Sequence, residues 1–122
     1  MFLQLAHTKL VVFQFSRILT LECYKITKQF PKDENYTMVQ QIRRAALSVH
    51  LNIAEGCSRK SKVERTRYFE IARGSVIEID TAIGIAYKLS YSTLECLQPL
   101  GDSIIKTFKL LTGMIDSGRD HI

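Results

Sequence analysis

Residues 37–73 read TMVQQIRRAALSVHLNIAEGCSRKSKVERTRYFEIAR, and this stretch sets the architecture. Val39, Ile42, Ala46, Val49 and Ile53 recur at three- and four-residue steps, the spacing that gathers apolar side chains on one face of a helix. Thr37 and Gln40 have the S/T-x-x-E/Q form of a capping box, which predicts a helix start. Gly56 is placed to end that helix, and Ser61 with Glu64 repeats the capping-box form. Two amphipathic helices joined by a short polar break follow, with the boundary between residues 56 and 61.

The same period runs outward in both directions. Upstream, Val12, Phe15, Leu19, Cys23, Ile26 and Phe30 share one face and stop at Pro31, after which 31–36 is a polar loop. Downstream, Phe69, Ala72, Val76, Ile79, Ile83 and Ala86 extend the third helix to about residue 90. A fourth follows on Leu97, Leu100, Ile104, Phe108, Leu111 and Ile115. Pro99 lacks an amide hydrogen and clashes one turn back, so this helix either starts at Pro99 or is kinked there. The expected helices cover about 8–29, 38–56, 62–90 and 98–117. With no convincing strand, internal repeat or low-complexity tract, the chain reads as all-α, a single antiparallel up-down-up-down four-helix bundle over 1–122. Its 122 residues, 46% of them hydrophobic, suffice for a real core.

Charge is distributed unevenly. Residues 37–73 carry eight Lys/Arg against three Glu, a net of +5, whereas the 36 residues before them come to +2 and the 49 after them to −2. The excess bunches at the helix two–helix three junction in Arg59, Lys60, Lys62, Arg65, Arg67 and Arg73, with Arg43 and Arg44 on the preceding helix. Cations clustered in this way neutralise phosphates and release counterions, so these eight residues are the candidate nucleic-acid surface, for RNA or DNA without strong sequence preference. Tyr68 and Phe69 interleave with the charges, but their helical positions assign them to the core rather than to base stacking. The alternative function is a non-enzymatic adaptor or scaffold that docks a protein partner.

Two helices hold more apolar surface than one core requires. Gly74, Ile77, Thr81, Gly84 and Ile85 form a second stripe on helix three, and Leu47, Leu51 and Ala54 lie outside the core stripe of helix two. Exposed apolar area of this kind marks an interface, which predicts a homo-oligomer. Beside the helix-two patch, Gln41, Arg44, Ser48, Asn52 and Glu55 fall within about 80° of one another on the wheel. Such a row reads as a polar network that fixes helix register, with Ser48, Asn52 and Glu55 at its centre.

Catalytic and metal signals are weak. The histidines, His7, His50 and His121, are scattered, no ligand spacing for a metal exists, and no glycine loop cradles a phosphate. Glu78 and Asp80, two apart on a helix, point in different directions. The expectation is a non-enzyme without cofactor or metal. Cys23, Cys57 and Cys96 lack C-x-x-C spacing and read as reduced thiols of a cytoplasmic protein. No segment approaches the length of a membrane span, and no signal peptide is evident.

The run from FPKDE-Y, through QIRRAA-S and NIAEG with its basic successor, to the F-x-x-A-x-G-S-x-x-E pattern from Phe69 to Glu78 resembles the bacterial four-helix-bundle proteins encoded by intervening sequences within 23S ribosomal RNA genes. The resemblance covers about residues 18–116. It departs at His50-Leu51, where many relatives have proline-alanine, and at Cys57, where many have an aromatic. A related family is the accessory variability determinant of diversity-generating retroelements, a basic pentameric barrel that binds nucleic acid and a reverse transcriptase. The resemblance thus implies a homopentamer, a basic face for nucleic acid and, as the adaptor alternative, a reverse-transcriptase accessory subunit.

Overall fold

The computed structural model describes residues 1–119 and contains four α-helices: α1 (Val11–Thr27), α2 (Met38–Ser58), α3 (Lys62–Lys88) and α4 (Leu94–Arg119), with 3-10 turns at Ala6–Lys9 and Lys32–Glu34. The expected boundaries hold for α2 and α3 to within two residues. The first helix begins three residues later than expected, because 6–9 tighten into a 3-10 turn whose last carbonyls are met by Leu10 N–H.

The fourth helix removes one of the two expectations about Pro99, that the helix starts there. It neither starts there nor needs to. Thr93 caps it from outside, accepting Cys96 N–H on Oγ1 at 3.1 Å and Leu97 N–H on its carbonyl at 3.0 Å. Pro99 sits inside the helix, at a solvent-exposed position where water can serve the carbonyl that its missing N–H leaves over.

Two capping expectations part company. Ser61 Oγ accepts from Glu64 N–H at 3.4 Å, as its spacing predicts. Thr37 does not cap α2 with its side chain; its hydroxyl donates instead to Glu34 Oε1 at 2.6 Å. Glu34 also accepts from Tyr91 Oη at 2.8 Å, so one carboxylate ties the α1–α2 loop to the α3–α4 loop. These hydrogen bonds, first that from Thr37 and then that from Tyr91, hold the Glu34 carboxyl below its ordinary pKa.

Gly56 does not end α2, which runs on to Ser58. It is buried where α2 meets α3, and a Cβ there would come within 2.6 Å of Phe69 Cε1 and 3.1 Å of Tyr68 Cβ. Glycine is required for close approach, not for a left-handed turn. The left-handed residue is Ser90, at φ 63°. Around it Ser90 N–H bonds Tyr87 O and Tyr91 N–H bonds Ala86 O, both at 2.9 Å, the paired closure of a Schellman cap with serine in the usual glycine position.

Neighbouring helices run in opposite senses. Ser16 meets His50 and Arg43 meets Thr27 between α1 and α2. Ser48 meets Ser75 and Gln41 meets Glu78 between α2 and α3, and Arg73 meets Thr112 between α3 and α4. One core fills the space between them, with Leu19, Ile53, Ile79, Leu111 and Ile115 wholly inaccessible. All six core residues expected on α3 are buried. On α4 the pattern slips by one: Phe108, expected inside, is 37% exposed, and Thr107 is fully buried in its place.

Candidate nucleic-acid interface

The turn between α2 and α3 is three residues long, and all three are exposed. It therefore presents its cations at the end of the bundle. Among the described residues, Lys60, Lys62 and Arg67 have neither a carboxylate nor a hydrogen-bond partner. Arg65, half-buried, makes one long bond to Arg59 O at 3.5 Å. Arg59 is more engaged: it pairs with Glu55 at 2.9 Å, donates to Tyr68 Oη at 3.1 Å and lies 5.1 Å from the Tyr68 ring centroid. Tyr68 is thus the rim of the basic turn and only Phe69 is in the core.

The remaining arginines of the sequence cluster sit elsewhere. Arg43 reaches back to α1, donating to Thr27 Oγ1 at 2.9 Å and Tyr24 O at 3.4 Å, with its guanidinium over the Tyr24 ring. Arg73 donates to Thr112 Oγ1 at 3.2 Å and lies near Phe108 on α4. Both hold helices together through donors that a phosphate would otherwise use. Arg44 is exposed, and Gln40, oriented to satisfy both neighbours, accepts from its Nη2 at 3.0 Å.

The expected polar row is a seam between helices. Asn52 Nδ2 donates to Ser48 O at 2.8 Å and Ser48 Oγ at 3.1 Å, and Ser75 Oγ donates to Ser48 Oγ at 2.9 Å. Gln41 donates to Glu78 across the same seam. Glu55 stands at its end, paired with Arg59. Ser75 is buried and Ser48 and Asn52 half-buried, and polar groups satisfied in this way fix register.

Apolar patches flank the seam on separate sides. On α3, Gly74, Ile77, Thr81, Gly84 and Ile85 are all exposed, and Ile77 borders a groove of about 290 Å³ between α3 and α4 with Ile104, Ile105 and Phe108. Leu47 and Leu51 are also exposed, roughly 100° round α2 from Ser48 and Asn52 and away from α3.

Two groupings escaped the sequence reading. Lys109 of α4 joins Lys62 and Arg65 around a cleft of about 530 Å³ floored by Phe69, Leu110 and Met114. Nothing in the spacing of the chain links residue 109 to residue 62, which only antiparallel packing brings together. The second is Ser16 Oγ against His50 Nδ1 at 2.6 Å, with the His50 ring stacked on Phe13 at 4.1 Å. Burial, then the charges of Arg17 and His7, push His50 below its ordinary pKa. Ser16 is wholly inaccessible and bonds Phe13 O as well, so no substrate carbonyl can reach it. The pair is part of the packing.

Among the described residues no three His, Cys, Asp or Glu side chains gather to hold a metal, and no helix is long and apolar enough to cross a membrane. His121 lies outside the described residues. All three cysteines are free thiols, and burial, with Glu22 adding to it, pushes Cys23 up to about 12.

A crystal structure of a protein of unknown function from the S23 ribosomal protein family of Bacteroides thetaiotaomicron superposes with a TM-score of 0.77, covering 86% of this chain and 98% of that one at 22% identity. At that identity the likeness carries the fold. No curated protein matches the sequence. The family model for the 23S rRNA-intervening sequence protein matches residues 8–113, which take in all of α1, α2 and α3, the basic turn and most of α4, and the chain therefore belongs to that family.

Proposed function

We propose that this protein is a self-associating, non-enzymatic helical bundle that binds RNA or DNA through the cations at the α2–α3 turn, with little preference for sequence. The observation that carries the reading is the unpaired state of Lys60, Lys62 and Arg67 at an exposed end of the bundle. The field of surface cations is usually offset by nearby carboxylates. Here Glu55 pairs with Arg59, while among the described residues Lys60, Lys62 and Arg67 have no partner and project outward. Phosphate contacts of this kind read no base edges and so carry no sequence code. Arg43 and Arg73, tied into the bundle, shape the surface more than they touch a ligand.

Self-association rests on the two exposed apolar patches. A patch on one copy that meets the other patch on the next makes a head-to-tail contact, which closes into a ring when the rotation between copies allows it. A pentamer, as the family resemblance implies, would repeat the basic turn on every copy and multiply its avidity.

Binding of generic oligonucleotides measured across salt concentrations tests the reading. Affinity should fall with a log-log slope of about −0.9 per contacted phosphate on duplex and about −0.7 on single strands. Reversing Arg59, Lys60 and Lys62 together should flatten the slope and leave helicity unchanged. If the parent binds neither strand form at about 50 mM salt, where such contacts are strong, the basic face serves a protein partner instead and the adaptor reading replaces this one.

A further inference from the structure

The cleft between the start of α3 and the last turns of α4 has a composition that the turn lacks. Its rim holds Lys62, Arg65 and Lys109, none of the described residues that line it is a carboxylate, and its floor is Phe69, Leu110 and Met114. Lys62 and Lys109 are exposed and have no partner among the described residues. Leu110 and Met114 are half-buried against the core. Three cations around an apolar floor match the two halves of a nucleotide, an anionic phosphate and a flat base with a hydrophobic face.

We propose that this cleft takes one unpaired nucleotide of a single strand, its base packed on Leu110 and Met114 and its phosphate held among Lys62, Arg65 and Lys109. The proposal rests on the nucleic-acid reading above and narrows it from any polyanion to strands with unpaired bases. Geometry selects the strand form. A cleft of about 530 Å³ has room for a single base with its sugar and phosphate, whereas a base inside a duplex keeps both faces stacked and cannot enter. Phosphate contacts at the turn bind both forms alike, so the preference must come from the cleft. Packing a base on this apolar floor adds to single-strand binding and not to duplex binding.

The test uses a short single strand containing one 2-aminopurine and the matching duplex, titrated against the parent, Lys109→Glu and Met114→Lys. The parent should favour the single strand, and 2-aminopurine fluorescence should change on binding. Lys109→Glu should weaken single-strand binding more than duplex binding. Met114→Lys adds a positive charge yet spoils the floor, so it should keep or improve duplex binding while losing both the preference and the fluorescence change. Duplex affinity and helical circular dichroism report whether each variant is folded. Equal binding of both forms by the parent, or a Met114→Lys variant that keeps the preference, overturns the cleft and leaves the basic-turn reading standing. Failure of the parent to bind either form at low salt overturns both.

Discussion

Thr107 takes the core position that the sequence pattern of α4 gives to Phe108, fully buried and with no hydrogen-bond partner for its hydroxyl. A buried, unpaired hydroxyl costs about 1–3 kcal/mol in proteins, and valine has nearly the same shape and similar helix propensity. Thr107→Val should therefore stabilise the chain by about 1 kcal/mol, seen as a rise in the urea midpoint without a change in m-value. His50 is costly in a pH-dependent way. Its folded pKa lies below the ordinary 6.5, so on acidification the unfolded chain takes up the proton first. Stability then falls as pH drops through 6.5 toward the folded value, and recovers above it. In His50→Gln, which cannot titrate, the difference in unfolding free energy between about pH 7.5 and pH 5.5 should shrink; an unchanged difference would mean that His50 does not govern the acid sensitivity in this window.

At the scale of elements, the sequence displays what one helix decides and hides what two helices decide together. The apolar stripes of α2 and α3 are legible because period and burial coincide, and Ser61 is legible because a cap is a local bond. Pro99 misleads because the true cap, Thr93, is a residue type common at helix starts but not embedded in a capping box. Phe108 misleads because exposure of a phenylalanine next to the groove with Ile77 and Ile105 depends on the packing angle of α4. For the site, the cationic turn is readable from composition, while Lys109 and the ties of Arg43 and Arg73 need the tertiary pairing. Gly56 gives the clearest contrast, since its role is contact with α3. Gly56→Ala gains up to about 1 kcal/mol in helix propensity, but its methyl meets Phe69 at 2.6 Å, and overpacking of that kind costs about 1–3 kcal/mol. The net effect should be destabilising. Gly84→Ala, where a Cβ meets nothing within 4 Å, should stabilise the isolated chain by about 0.5–1 kcal/mol. Thermal melts of the two variants measured side by side decide whether close approach or helix propensity governs position 56.

For the whole molecule, the separation of the two apolar patches makes a sharper demand than self-association alone. Light scattering should give a mass several times the 14.0 kDa of one chain, near five-fold for a pentamer. Ile77 is 51% exposed and Leu51 59% exposed in the single chain, so an arginine at either position costs the isolated fold less than about 0.5 kcal/mol. In an assembled ring the same charge would be buried without a partner, at a cost of several kcal/mol. Ile77→Arg and Leu51→Arg should each dissociate the assembly while leaving helicity intact. A head-to-tail contact adds a consequence that a two-fold contact lacks. An Ile77→Arg chain keeps its α2 patch and a Leu51→Arg chain keeps its α3 patch, so mixing the two variants should restore one interface and produce a heterodimer that neither forms alone. If instead each patch met its own copy, every variant would keep one intact symmetric contact and dimerise unmixed. A monomeric parent across the accessible concentration range would remove the ring altogether and leave the exposed isoleucines and leucines as a docking surface for another protein.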